Sequence, residues 1–127
     1  MQGGIFNPAQ YLASYQDLID AFGYDLDMAR AHYQQRGQFE NRYHDLFDES
    51  RYLASNSDLI QAFGYDLEAA TAHYISFGSR EGRGRGSFDA ATYLQNYGDL
   101  QAAFGSDLNA ATQHYIQVGF AEGRSPV

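Results

Sequence analysis

A repeat of 41 residues constrains the fold of this chain more than any other feature of its sequence. Residues 21–26, Ala-Phe-Gly-Tyr-Asp-Leu, return at 62–67 and, with Ser in place of Tyr, at 103–108. No insertion breaks the register, and 16 positions are identical in all three copies. We therefore predict one domain, residues 1–127, made of three tandem copies at residues 5–45 (copy one), 46–86 (copy two) and 87–127 (copy three).

The stretch 21–26 has the residues of a helix end followed directly by a helix start. Gly23 suits the position just after a helix, because glycine adopts a left-handed backbone without a steric penalty from Cβ. Asp25 suits an N-cap, because its carboxylate accepts from the free amides of the next helical turn. Each copy is therefore predicted to be a helical hairpin, which makes the protein all-α.

Apolar residues predict one helix on each side of this hinge. In copy one the first helix is predicted at 8–22, with apolar residues at 11, 12, 15, 18, 19 and 22 forming one stripe. The second helices are predicted at 26–36, 67–77 and 108–118. A glycine directly follows each of them (Gly37, Gly78, Gly119), and we expect it to end the helix in a left-handed backbone conformation. One hairpin cannot bury its stripe alone, so the copies are expected to stack as a short α-solenoid or a compact repeat bundle.

A phenylalanine precedes each predicted first helix, as Phe6, Phe47 and Phe88. An apolar residue at this position either staples against the first turn of its helix or locks into the neighbouring copy. Both arrangements agree with the sequence.

Composition excludes several classes of partner. The net charge of −8 argues against nucleic acid and anionic membranes, which both need a basic surface. There is no cysteine, so disulfides and thiolate metal sites are excluded. No stretch has the length of a membrane-spanning helix, and residues 1–6 lack the basic and apolar regions of an ordinary signal peptide. Membrane insertion is therefore not expected, and export would need a removed leader or another route.

The repeated polar residues do not predict an active site. His32, His73 and His114 would suggest a metal ion, but neighbouring helices pack roughly 10 Å apart, which is too far for bonds of about 2 Å to one ion. Asp17 and Glu40 would suggest an acid–base pair, yet an active site needs different groups in different roles rather than equivalent copies. We expect each aspartate to pair with an arginine or cap a helix, with no enzymatic activity, metal or cofactor.

The first and last copies keep most of their apolar residues, which predicts contact with other chains unless the copies close into a bundle. Terminal units of a soluble array normally have polar outer faces. Here Gln34, Arg36 and Gln101 give only partial replacement. We therefore predict a homo-oligomer or filament. The predicted contact residues are Phe6, Tyr11, Leu12, Leu18, Leu94, Leu100, Ile116 and Val118.

The tyrosines support a second interpretation, in which they stack on sugars or on a partner protein. Most lie on the predicted inner stripe, but Tyr24 and Tyr65 follow the hinge glycine and are expected to be exposed. The segment 78–87 is rich in glycine and arginine, which predicts either a flexible joint or a basic spot on an acidic surface. The predicted ligand contacts are Tyr24, Tyr65, Arg80, Arg83 and Arg85, for a cell-surface glycan or a partner protein.

Nearly the whole chain follows the pattern Phe-Asp-x-x-x-Tyr-Leu-x-x-Asn-x-Asp-Leu, then Ala-x-x-His-Tyr-x-x-x-Gly-x-x-Glu-Gly-Arg, best in 47–83 and 88–124. Ser57 stands where the pattern often has proline, and copy one has Asn41 for the second glycine. The pattern resembles a repeat of approximately 40 residues in bacterial surface and secreted proteins, which often accompanies repeat-in-toxin segments or glycosyltransferase domains. The resemblance implies an extracellular module of structural or adhesive type.

Together these observations predict a non-enzymatic structural repeat protein that self-assembles into a filament or surface layer outside a bacterial cell. The alternative is an adhesive module that binds a glycan or a protein. Neither a toxin-type calcium repeat nor a glycosyltransferase domain is present in the sequence.

Overall fold

The computed structural model describes residues 6–44, 46–84 and 86–126. Over these ranges the chain forms helices and no β-strand, which confirms the all-α prediction. The α-helices are α1 (Pro8–Ser14), α2 (Gln16–Phe22), α3 (Leu26–Gln35), α4 (Glu49–Ala54), α5 (Ser57–Phe63), α6 (Leu67–His73), α7 (Ala90–Gln95), α8 (Gly98–Phe104) and α9 (Leu108–His114). A 3₁₀ turn at Gly37–Glu40 and π-helical turns at Tyr74–Gly78 and Tyr115–Gly119 follow α3, α6 and α9. Within the described ranges, no helix is both long and apolar enough to cross a bilayer.

The chain divides into two compact units whose limits differ from those of the sequence copies. The first unit holds the described residues of Met1–Asp48 and Thr71–Arg85, and the second holds those of Glu49–Ala70 and Gly86–Val127. The division passes through α6, so copy two contributes residues to both units. The copy boundaries remain a prediction from the sequence.

The predicted first helix, 8–22, is two helices in the structure, so each copy has three helices rather than a hairpin of two. Tyr15 separates α1 from α2 with an extended backbone (φ −136°, ψ 115°), and Tyr97 separates α7 from α8 in the same way (φ −134°, ψ 106°). The Ser14 hydroxyl donates to the carbonyl of Gln10 at 2.8 Å at the end of α1. The break was missed because the apolar stripe continues through it, and it leaves both Leu12 and Leu18 buried.

The hinge glycines have the expected positive φ in every copy, although their ψ values are not those of a left-handed helix. Gly23, Gly64 and Gly105 have φ of 61°, 64° and 63°, in the region that favours glycine. Asp25 and Asp107 accept from backbone amides three residues later, at 3.1 and 3.0 Å. These aspartates are therefore N-caps of α3 and α9.

The helices after the hinge start where the sequence predicts and differ at their ends. α3 ends at Gln35, and the π-helical turns carry the chain from α6 and α9 to Gly78 and Gly119. Neither these two glycines nor Gly37 has a positive φ. The prediction that they end their helices with a left-handed residue is therefore wrong.

Within each unit, a first helix packs against parts of two successive copies. In the first unit, α1 packs on α3 and on the turn Tyr74–Gly78. In the second unit, α7 packs on α9, and α4 packs on α9 and on the turn Tyr115–Gly119. A first helix therefore contacts the third helical segment of the following copy in both units, as burial of an apolar stripe requires.

The phenylalanine before each first helix packs within its own copy. Phe6 stacks on Tyr33 with ring centroids 4.7 Å apart, and Phe88 stacks on Tyr115 at 5.1 Å. Phe6 also lies 5.7 Å from Tyr11 in the first helix, as a hydrophobic staple would. Of the two predicted arrangements for the side chain, these contacts favour the staple.

The backbone at the start of copies two and three is hydrogen-bonded to a serine of the preceding copy. The Ser14 hydroxyl accepts from the amides of Leu46 and Phe47, at 2.9 and 3.2 Å. The Ser55 hydroxyl accepts from the amides of Ser87 and Phe88, each at 2.8 Å. One serine hydroxyl thus satisfies two backbone donors where the chain passes from one copy to the next.

Candidate functional surfaces

The repeated histidines lie beside buried tyrosines. The hydroxyl of Tyr11 is hydrogen-bonded to Nδ1 of His32 at 2.8 Å, and burial raises the pKa of Tyr11 to about 12. Such a phenol stays protonated at neutral pH and offers a hydrogen bond rather than a base. A Cβ on Gly37 would overlap this hydroxyl, so the glycine is needed for space.

Copy three repeats this arrangement. The hydroxyl of Tyr93 lies 3.0 Å from Nδ1 of His114, the pKa of Tyr93 is raised by burial to about 12, and a Cβ on Gly119 would overlap the hydroxyl. Within the described residues, no three His, Asp or Glu side chains are grouped closely enough to hold a metal ion. Both histidines therefore have a buried tyrosine as a hydrogen-bond partner inside the fold.

The rings at the end of the predicted apolar stripe lie at the edge of the core instead of inside it. Phe22 and Phe104 are half-buried, with centroids 5.8 and 5.7 Å from His32 and His114. Phe63 is exposed. The stripe therefore ends one turn earlier than the sequence indicates.

A clamp centred on Arg42 holds the end of copy one against α2. The two terminal guanidinium nitrogens of Arg42, Nη1 and Nη2, donate to Asp17 at 3.1 and 2.9 Å, and its Nε donates to Glu40 at 2.9 Å. The guanidinium also lies 4.8 Å from the ring centroid of Tyr15. Hydrogen bonds from Arg42 lower the pKa of Asp17. Of the two roles expected for this aspartate, an arginine partner or a helix cap, the structure shows the arginine partner.

The same clamp recurs around Arg124. It donates to Asp99 at 3.1 and 2.8 Å and to Glu122 at 2.9 Å, with Tyr97 below it at 4.7 Å. Hydrogen bonds from Arg124 lower the pKa of Asp99. Asp99, whose ionised form is favoured by this arginine, is therefore a poor general acid.

The structure separates the predicted self-association residues into two groups. Phe6 is half-buried and Val118 is exposed. The other six lie inside the chain: Tyr11, Leu12, Leu18, Leu94, Leu100 and Ile116. Val118 is thus the one exposed residue of these eight, and Leu94 lines the groove described below.

Of the predicted ligand contacts, Tyr24, Tyr65 and Arg80 are exposed. Tyr24 is 43% exposed in the first unit and Tyr65 is 37% exposed in the second, as expected from the sequence. Arg80 is exposed and donates to the carbonyl of Ser76 at 2.7 Å, and Arg83 forms an ion pair with Glu81 at 2.7 Å. Arg85 lies outside the described residues.

Exposed apolar side chains in the first unit were missed by the sequence reasoning. Phe39, Tyr43, Leu46 and Phe77 are all exposed. The signal was a difference between copies, since copy three has Ala121 and Ser125 at the positions of Phe39 and Tyr43.

A groove of about 420 Å³ opens on copy three, within the second unit. Ala91, Leu94, Gln95 and Gln101 line it, together with Leu108. We name the first four positions, with their equivalents in the other copies, the trailing face. In copy one the trailing face is Ala9, Leu12, Ala13 and Ile19, and all four are buried.

No family model, curated protein or solved structure matches this chain.

Proposed function

We propose that this chain is a non-enzymatic structural repeat protein that acts outside a bacterial cell. One observation carries the proposal: repeated polar residues that resemble catalytic groups are engaged within the fold. His32 and Asp17 have structural partners, and their equivalents in copy three have the same partners. Residues that recur with one set of partners serve the shared fold, whereas an active site needs unlike groups.

The bacterial and extracellular parts of the proposal rest on the sequence resemblance alone. The acidic net charge of −8 is compatible with this setting and unfavourable for nucleic acid. Exposed aromatic side chains such as Tyr24 and Phe39 give such a module surface for adhesion.

For this structural role we prefer a protein of one fixed size, a discrete particle that does not polymerise. The supporting observation is that Gln95 and Gln101 are exposed in the groove of copy three, where the equivalent residues of copy one are apolar and buried. A filament is the second candidate. The groove itself favours it, because Leu94 and Leu108 give the groove apolar walls that a second chain would cover.

Sedimentation velocity and electron microscopy of the purified protein test the two forms. A discrete particle keeps one sedimentation coefficient over the whole accessible concentration range. Fibres, or a mass that grows with concentration, would favour the filament instead.

A substrate screen tests the non-enzymatic part separately. We expect no turnover that depends on the repeated polar residues. Turnover that is abolished by His32→Gln, in a variant with unchanged thermal unfolding, would overturn the proposal.

A further inference from the structure

The trailing face of copy three has polar residues where the other copies have apolar ones. Gln95 replaces Ala13 and Ala54, and Gln101 replaces Ile19 and Ile60. All four replaced residues are buried, whereas both glutamines are exposed. Buried glutamine without partners is unfavourable, so these residues suit a face that stays in water.

Gln101 also uses its side chain in a way that isoleucine cannot. Its Nε2 donates to the carbonyl of Leu94 at 2.8 Å, next to the end of α7. A solvent-facing glutamine thus helps to satisfy a backbone acceptor at a helix end. Gln101 therefore suits a surface of copy three that is exposed to solvent.

The serine that holds the following copy is also absent from copy three. Ser14 and Ser55 each accept two amides from the start of the next copy. The equivalent residue is Asn96, which is exposed. Three replacements in copy three therefore affect positions that are covered, or used to bind the next copy, in copy one.

Copy one has a matching change on its third helix. We name positions 30 and 34, with their equivalents, the leading face. Ile75 and Ile116 are buried leading-face residues within segments that pack on the first helix of the preceding copy. Copy one has exposed Gln34 at this position.

The second leading-face position follows the same rule. Thr71 and Thr112 are buried, and the equivalent Arg30 is exposed. Burying an arginine without an ionic partner is strongly unfavourable. Nearby Tyr33 is only half-buried, whereas its equivalents Tyr74 and Tyr115 are buried.

We propose that Arg30 and Gln34 on the leading face, and Gln95 and Gln101 on the trailing face with Asn96 beside them, are caps that prevent head-to-tail assembly of this chain. The surface they close is a copy-to-copy interface, and the partner that it would otherwise fit is a second copy of the same chain. The inference goes beyond a structural role, because it names the residues that decide the assembly state.

Restoring the faces one at a time tests the proposal. The trailing-restored variant carries Gln95→Ala, Asn96→Ser and Gln101→Ile, and the leading-restored variant carries Arg30→Thr and Gln34→Ile. Each variant alone has one restored face and is expected to sediment as a monomer. An equimolar mixture is expected to form a 1:1 dimer, with twice the mass of one chain.

A chain with all five changes has both faces and is expected to polymerise. Contact between unlike faces does not close by itself, so its mass should grow with concentration. Gln35→Ile and Ala102→Ile are matched controls, because they add isoleucine to exposed positions on α3 and α8. Mixtures of these two controls are expected to stay monomeric.

Two results would overturn the proposal. One is a folded restored pair, judged by circular dichroism and thermal unfolding, that stays monomeric in the mixture. The other is wild-type protein that already assembles head to tail. If the variants with several substitutions do not fold, the single variants Gln34→Ile and Gln101→Ile are mixed instead, and the mass of the mixture is measured in the same way.

The test also separates this inference from the proposed function. If the wild type is monomeric and the restored variants also stay monomeric, the capping proposal is wrong and the proposed structural role is unaffected. Enzymatic turnover that depends on His32 would contradict the proposed structural role and would not affect the capping proposal.

Discussion

The hydroxyl of Tyr11 lies 2.8 Å from Nδ1 of His32, and the backbone of Gly37 approaches the same hydroxyl so closely that a Cβ would overlap it. Burial raises the pKa of this tyrosine to about 12, so the group stays a neutral phenol over the physiological range. Three residues that recur in every copy thus form one packed cluster here. In this cluster the role of glycine is to leave space rather than to adopt a special backbone angle.

Gly37→Ala is expected to destabilise the protein by about 1–3 kcal/mol, the usual range for an overpacked core. The added methyl group has to displace the ring of Tyr11, which is fully buried. Urea unfolding followed by circular dichroism measures the change. Tyr11→Phe removes the oxygen that the methyl group meets, so the double variant should lose less stability than the two single losses combined.

Gly98→Ala is the matched control for this prediction. No heavy atom lies within 4 Å of a Cβ built on Gly98, and its φ is not positive. The free energy of unfolding of the Gly98→Ala variant should therefore stay within about 0.5 kcal/mol of the wild-type value or be slightly higher. Equal losses in the Gly37 and Gly98 variants would show that close packing is not the reason for Gly37.

Ser14→Ala is expected to lower the free energy of unfolding by about 1–3 kcal/mol, because two backbone donors lose their acceptor. These donors are the amides of Leu46 and Phe47, and the serine is buried. Hydrogen exchange measured residue by residue should show faster exchange at both amides. Ser57→Ala, at an exposed position of α5, is the control and should leave them unchanged. Unaltered exchange in the Ser14 variant would contradict the assigned role.

The clamp of Arg42 on Asp17 predicts a pH-dependent contribution to stability. The lowered pKa of Asp17 means that this contribution is complete above the unfolded-state pKa of about 3.9 and is lost as the pH falls through the folded-state pKa. Asp17→Asn should therefore destabilise the protein at neutral pH. The effect should be no more than about 1 kcal/mol, because the aspartate side chain is 61% exposed.

Denaturant unfolding at a series of pH values measures this effect. The difference between wild type and Asp17→Asn should shrink as the pH is lowered below about 4. Asp20→Asn, at an exposed position of the same helix, is the control. A difference that stays constant into the acid range would argue against the clamp as its source.

The exposed tyrosines after the hinge predict glycan binding, if the chain is an adhesive module. Tyr24→Ala and Tyr65→Ala should each weaken saturable binding on a glycan array by about tenfold, the loss typical of an aromatic contact residue. Tyr43→Ala is the control, because this tyrosine is exposed and lies outside the predicted ligand contacts. Binding that the control abolishes equally, or no saturable binding to any glycan, would count against this surface.

The sequence predicted those features that depend on a few neighbouring residues. Gly23 has a positive φ and Asp25 caps the next helix because both effects act within one helical turn. The pairing of Asp17 with an arginine was one of two predicted roles, the other being a helix cap. It was reached by a weaker argument, since an exposed carboxylate on a helix commonly has a basic partner.

The sequence did not predict the break at Tyr15, and it predicted the polar faces of the first and last copies only in part, at Gln34 and Gln101. The apolar stripe of α1 and α2 is compatible with one long helix, so its periodicity gave no sign of the break. The replacements at Gln95 and Arg30 are visible in the sequence. Their meaning is not, because it depends on which equivalent residues are buried by a neighbouring copy.

The sequence alone determined the helical class, the 41-residue period and the glycine–aspartate hinges, because backbone preferences and capping hydrogen bonds act between residues close together in the chain. Only the tertiary structure decided why Gly37 is glycine, which side chains are buried, and which of the repeated positions contact another copy. These depend on atoms that distant parts of the chain bring together, such as the hydroxyl of Tyr11 over the backbone of Gly37. Local preference cannot report the space left between them.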